Sequence, residues 1–194
     1  MKRHRLLLLA SGRGSHVVNL IEATKDGRLE GSVVRVISDR PDAPALEAAQ
    51  ALGVPTEVLT PFREGVRLAP EAEDRLLQIV REERPDLIAL CGFMRLLSPP
   101  FLGRMNVPIL NVHPSLLPRF RGLNAQRKAI EAGVTSTGAT VHLVDAGMDT
   151  GKILLQETIP IVPGETADEL AERLLPIEHK LYVEAIRKIQ EEAT

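Results

Sequence analysis

The sequence predicts an α/β fold: a doubly wound, mostly parallel sheet with mixed or antiparallel strands at one edge and a long C-terminal helix. Three observations predict it. Short apolar runs alternate with helical patterns from Leu6 to Gly133, the signature of strands joined by crossover helices. Two alternating, β-branched runs then follow each other with only a turn-rich stretch between them. From Thr166 to about Glu191 the pattern is that of a long amphipathic helix.

The elements follow in order. Leu6–Ala10 is a continuous apolar run stopped by Ser11-Gly12, as expected of a parallel strand covered on both faces. Val17, Leu20 and Ile21 fall at helix spacing in a segment from about His16 to Lys25, with Gly27 just past its end. Ser32–Ile37 is the next strand, Ala45–Leu52 a helix stopped by Gly53, and Thr56–Leu59 a short strand. Glu71–Glu83 is an amphipathic helix closed by Pro85, before the strand Asp86–Cys91. Ile109–His113 is a fifth strand and Leu123–Ala132 a helix ending at Gly133. Gly138–Asp145 and Lys152–Ile161 are the alternating edge strands. Thr166 with Glu169 three residues on forms a capping box for the last helix.

Composition narrows the function classes. At 194 residues and 44% hydrophobic content, one domain with a well-buried core is expected. The 24 basic and 26 acidic residues leave a net charge of −2, with no global attraction to nucleic acid or anionic lipid. Only Met1–Arg5 (MKRHR) is locally basic, and it reads as a solvated terminus. Aromatic content of 3% does not suit a stacking platform for single strands. The apolar run Leu6–Ala10 is shorter than the roughly seven residues of a secretory core, and nothing reaches the ~20 apolar residues of a membrane span. A cytoplasmic protein is expected. Cys91, the single cysteine, lies in an apolar strand and reads as a buried thiol.

Two stretches carry chemistry. Ser11-Gly12-Arg13-Gly14-Ser15 joins the first strand to the first helix, where glycines let backbone N–H groups approach an anion. A tight structural turn is the alternative, and Asp39, near the end of the second strand, has the reach to hold a ribose. In Asn111-Val112-His113-Pro114, the amide and the imidazole share one face of a strand near its carboxyl end, where open α/β sheets bind ligands. An amide donor beside an imidazole suits acyl-group chemistry; a structural Asn and a hydrogen-bonded His are equally compatible. Asp149, between Gly147 and Gly151, is either a turn residue or a carboxylate that orients an imidazole.

Five segments in one order and spacing add a resemblance: SGRGS (11–15), GFMRLLSP (92–99), NVHPSLLP (111–118), GATVH (138–142) and Asp149-Thr150-Gly151. Together they resemble the glycinamide ribonucleotide formyltransferase family of purine biosynthesis, over nearly the whole chain. The resemblance implies a single formyltransferase domain, with substrate phosphate bound in the N-terminal half and folate binding and catalysis in the C-terminal half. It implies Asn111, His113 and Asp149 as the catalytic trio. Substrate contacts are implied at Gly12, Arg13, Gly14, Ser15, His16 and Glu178. The folate pocket is implied at Arg67, Met94, Arg95, Leu96, Leu97, Asn111, Val144 and Asp145. It further implies 10-formyltetrahydrofolate as co-substrate with no metal required, small-molecule partners rather than nucleic acid or membrane, and a monomer or homodimer.

The chain departs from the family in places. His16 stands where the family has Asn, Asn124 and Gln126 stand where it often has His, and Arg67 or Arg63 replaces its folate-facing arginine. Arg119-Phe120-Arg121-Gly122 is more similar to methionyl-tRNA formyltransferase, whose additional domain this length is not expected to accommodate. A formyltetrahydrofolate hydrolase shares the trio. A non-catalytic nucleotide-binding module accounts for Gly12 and Gly14 but not for Asn111, His113 and Asp149.

Overall fold

The computed structural model describes residues 4–61 and 65–192, so Met1–Arg3 of the basic run and Arg63 lie outside the described residues. The chain divides into two compact units, one up to Leu110 and one from Asn111 to Glu192.

The first unit is the doubly wound part. β1 (Arg5–Ala10) pairs in parallel with β2 (Ser32–Ser38) and β4 (Leu87–Leu90), and β2 pairs in parallel with β3 (Thr56–Val58). Leu6 to Leu9 are buried on both faces of the sheet, which is why they read as an unbroken apolar run. Crossovers are made by α1 (Ser15–Lys25), α2 (Pro44–Ala51) and α3 (Pro70–Glu83). α1 buries the stripe that periodicity marks, Val17, Leu20 and Ile21, and α3 buries Leu76, Leu77 and Val80. Arg84 ends α3 in the left-handed region (φ 46°), ahead of Pro85. At the margin of this unit Arg35 bridges Glu57 and Glu83, and Arg75 and Arg5 continue the network.

A one-turn helix, α4 (Pro99–Leu102), is absent from the sequence expectation. Its signal is a Ser98 cap on Phe101 N–H followed by two prolines, too short to show any periodicity.

The second unit begins within β5 (Ile109–His113) and continues through α5 (Ala125–Glu131), β6 (Ser136–Leu143), β7 (Ile153–Pro160) and α6 (Ala167–Glu192). β6 and β7 are antiparallel, with one register shift at Val141/His142. The strands run β3-β2-β1-β4-β5-β6-β7, which places the antiparallel pair at one edge, as the alternating runs predict. α5 starts two residues later than expected because Asn124 takes a left-handed conformation (φ 58°) and cannot continue a helix backwards. On α6 the capping box forms in both directions: Thr166 N–H donates to Glu169 (2.7 Å) and Glu169 N–H to Thr166 Oγ1 (3.2 Å). Leu170, Leu174, Leu181, Tyr182 and Ile186 are its buried face.

Candidate active site

In the second unit, β5 brings Asn111 and His113 to one side, as residues two apart on a strand must be. The connection from β6 to β7 brings Asp149 to them. Asp149 sits at φ 53°, a left-handed conformation that a non-glycine residue holds only at a cost of about 1 kcal/mol or more. Its neighbours explain how it is kept there. A Cβ on Gly147 would collide with Thr150, and one on Gly151 with the Leu143 carbonyl. Asp145 ties the loop across, accepting from Gly147 N–H (3.0 Å) and Thr150 Oγ1 (2.6 Å).

The Asp149 carboxylate is the hub of the cluster. Oδ2 accepts from Gly122 N–H (2.8 Å) and lies 3.4 Å from His113 Nδ1. Oδ1 lies 3.4 Å from Asn111 Nδ2 and 3.5 Å from His142 Nε2. Burial by itself pushes this carboxyl's pKa up. The hydrogen bond with His142, the Gly122 amide and the charges of His113 and His142 together outweigh burial and hold it at about 2. Asp149 is therefore a fixed negative charge rather than a proton store.

His113 is buried and has an acceptor at each ring nitrogen. Nε2–H donates to the Phe120 carbonyl (2.9 Å), while Nδ1 faces Asp149. Both acceptors suit an imidazolium, which needs two. His142, only 2% exposed, is a further member of the cluster that no motif logic assigns a role. Its Nδ1–H donates to the Leu143 carbonyl (2.8 Å), so Nε2 faces Asn111 Nδ2 (3.4 Å) and Asp149. The available signal was strand alternation, which sets His142 on the same face as Thr140. The contacts of 3.4–3.5 Å around Asn111 and Asp149 are loose enough to tighten on a ligand.

In the first unit, Gly14 precedes α1 at φ 85°, and any Cβ there would strike Ala45, so only glycine fits. A Cβ on Gly12 would meet nothing within 4 Å, and Arg13 is exposed. Ser15 and His16 form the first turn of α1. Asp39 does not face outwards as a ribose ligand would. It is 3% exposed and accepts from Ser11 Oγ (2.5 Å) and Arg95 Nε (2.6 Å). Ser11 Oγ in turn accepts from Met94 N–H (2.8 Å), and Arg95 also donates to the Gly65 carbonyl. The ribose contact open to Asp39 in the sequence thus gives way to a structural role, because both carboxylate oxygens are committed to the loops around it. Removing this buried charge should be costly: Asp39→Ala is expected to lose roughly 3–5 kcal/mol in urea melts. A loss below about 1 kcal/mol would show the node to be dispensable.

Of the remaining expected positions, Arg67 is exposed and forms an isolated bridge with Leu96, Met94 is 59% exposed, and Leu97 is buried. In the second unit Val144 is half-buried, Asp145 exposed and Glu178 buried on α6. No group of three or more His, Cys, Asp or Glu side chains suited to a metal ion occurs among the described residues. Cys91 is buried, which pushes its thiol pKa well above the ordinary range.

Comparison with known proteins places these residues in a family. The formyl transferase family matches residues 4–186. Trifunctional purine biosynthetic protein adenosine-3 of Bos taurus is 38% identical over 188 residues, and its Drosophila melanogaster counterpart 40% over 187. These cover 97% and 95% of this chain, which spans only 18% and 14% of the relatives. Solved structures match in length as well. Glycinamide ribonucleotide transformylase 1 of Symbiobacterium toebii is 40% identical with a TM-score of 0.91, covering 98% of this chain and 89% of its own. Phosphoribosylglycinamide formyltransferase of Bacillus halodurans is 36% identical with a TM-score of 0.90, covering 98% and 97%. With its family match running from His4 to Ile186 and these structures superposing along nearly all of it, the chain belongs to the formyl transferase family.

Proposed function

We propose that this chain transfers the formyl group of 10-formyltetrahydrofolate to the primary amine of glycinamide ribonucleotide, giving formylglycinamide ribonucleotide and tetrahydrofolate in purine biosynthesis. The observation that carries the reading is the cluster of buried His113 with half-buried Asn111 and Asp149, in a chain matched over 98% of its length by a phosphoribosylglycinamide formyltransferase.

The substrate's phosphate is assigned to Gly12, Arg13, Gly14, Ser15 and His16, an assignment supported by the open backbone at Gly12 and the left-handed turn at Gly14. Glu178 is assigned to the ribose hydroxyls. The folate is assigned to Arg67, Met94, Arg95, Leu96, Leu97, Val144 and Asp145, with Asn111 reaching the formyl group. The exposed Met94 supports this by offering apolar surface to a flat ring. Arg95 acts through the backbone that its side chain secures.

In the reaction the substrate amine forms a C–N bond to the formyl carbon, and the formyl oxygen takes up negative charge. Asn111 Nδ2–H and the His113 imidazolium stabilise that oxygen, each worth roughly 10²- to 10³-fold. Asp149, fixed as an anion, orients His113 and favours positive charge developing on its ring. The bond from carbon to the folate nitrogen then breaks, the attacking nitrogen loses a proton and the leaving nitrogen gains one, with His113 relaying it through Nδ1, whose 3.4 Å contact with Asp149 is long enough for that nitrogen to turn to the reacting atoms. No electrons are exchanged, and no metal is called for. The protein works on small molecules in the cytoplasm, as a monomer or homodimer, without nucleic acid; no helix among the described residues is long and apolar enough to cross a membrane.

A formyl-transfer assay with 10-formyltetrahydrofolate and three acceptors tests the reading. Glycinamide ribonucleotide is expected to be formylated, while initiator methionyl-tRNA and water are not. Turnover with tRNA or water alone would overturn it.

A further inference from the structure

Phe120 holds its backbone at φ 55°, in the left-handed region that a bulky residue rarely enters. Its carbonyl is the acceptor for His113 Nε2–H. A strained residue whose carbonyl meets the central imidazole raises the question of what keeps it there.

The segment 115–119 answers it through two buried hydroxyls. Ser115, fully buried, donates from Oγ to the Arg119 carbonyl (2.6 Å), closing the turn just before Phe120. Thr140, fully buried on β6, donates from Oγ1 to the Ser115 carbonyl (2.6 Å) and accepts from Leu117 N–H (3.1 Å). Gln156 of β7 adds donations to Thr140 Oγ1 (2.9 Å) and to the Leu117 carbonyl (2.8 Å). Gly138 completes the seat, since a Cβ there would collide with Leu116 and with the Glu157 carbonyl. The edge hairpin β6–β7 thus grips the loop, and the far end of that loop presents the Phe120 carbonyl.

We propose that Ser115 and Thr140 are positioning residues for His113, clamping the strained Phe120 carbonyl onto Nε2 so that the imidazolium keeps its second acceptor. An imidazolium N–H gains more from a carbonyl than a neutral imidazole N–H does, so the clamp favours the charged ring. Loosening it weakens the charged form, and the ring loses its proton at lower pH. The other charged group facing the ring is Asp149, at Nδ1; His142 reaches the same carboxylate, and Arg119 stacks on the Phe120 ring. None of these is altered by the substitutions below.

The kinetic part of the inference rests on the formyl-transfer reading; the part concerning His113 does not. The test compares Thr140→Val, which keeps shape but removes the hydroxyl, with Thr140→Ser, which restores it, and with Ser115→Ala as a second loosening of the same turn. Two readouts are taken on each folded protein. NMR titration of the isotope-labelled His113 ring should move its midpoint down by roughly half a pH unit or more in Thr140→Val and Ser115→Ala, and leave it in place in Thr140→Ser. In the formyl-transfer assay kcat should fall about 10-fold or more with KM changed less than about 3-fold, and the high-pH limb should move with the ring titration.

If Thr140→Val does not fold, Ser115→Ala carries the comparison. A wild-type His113 titration in a folded loosened variant would overturn the clamp, even if its melting temperature had dropped. A wild-type enzyme that formylates no acceptor would overturn the functional reading, and the ring titration would still decide the clamp.

Discussion

His113→Ala is expected to lower kcat by roughly 10²- to 10⁴-fold while leaving KM for both substrates within a few-fold. The buried His113 ring has a carbonyl at Nε2 and a carboxylate at Nδ1, an arrangement suited to a positive charge beside a developing oxyanion. Alanine removes both the charge and the proton relay. Asn111 remains and still donates, which is why a residual rate is expected rather than none. The protein should stay folded, because the ring's partners are a backbone carbonyl and an already hydrogen-bonded carboxylate. A folded variant with wild-type turnover would remove His113 from the mechanism.

Asp149→Asn is expected to lower kcat by about 10²-fold or more and to change the pH dependence of both rate and stability. The amide keeps the shape of the carboxylate but loses its charge, so the His113 ring should give up its proton at lower pH and the high-pH limb of the rate profile should shift the same way. For stability the sign follows from the folded carboxyl lying near about 2, below its ordinary value of 3.8. A lowered folded value contributes stability that is fully present above about pH 4 and is lost as pH falls towards 2. Wild type should therefore exceed Asp149→Asn by about 2 kcal/mol at neutral pH, with the gap closing between pH 4 and 2. Urea melts across that range decide it: a gap that does not depend on pH would mean that Asp149 acts by shape alone.

Much of this was legible beforehand for identifiable reasons. Strand β1 is buried on both faces and therefore spells itself as Leu6 to Leu9. Asn111 and His113 are two apart on one strand, so their common face follows from the pleat alone. Features that depend on partners distant in sequence were not legible. Asp39 could be read as a ribose ligand until Ser11 and Arg95 were seen to occupy it. His142 looked like one letter of a motif, because nothing local shows that β6 turns it towards Asn111 and Asp149. The Phe120 carbonyl has no signature in the sequence, since every residue carries one. The start of α5 is not legible because propensity does not reveal that Asn124 is left-handed.

The Asp39 node also has a thermodynamic side. One carboxylate holds Ser11, which leads into the Gly12–Gly14 turn, and Arg95, which follows Met94; Ser11 holds Met94 directly. The two loops therefore share their fastenings, and neither can shift without straining a bond that the other also uses. A ligand that stiffens residues 94–97 has already met part of the ordering entropy for residues 11–14, so a second ligand seated there has less to lose. Linkage makes the exchange symmetric: whatever factor the first occupant contributes to the affinity of the second, the second returns to the first. If both loops hold ligands as proposed, cooperativity between them needs no change of shape, only a carboxylate that answers to both.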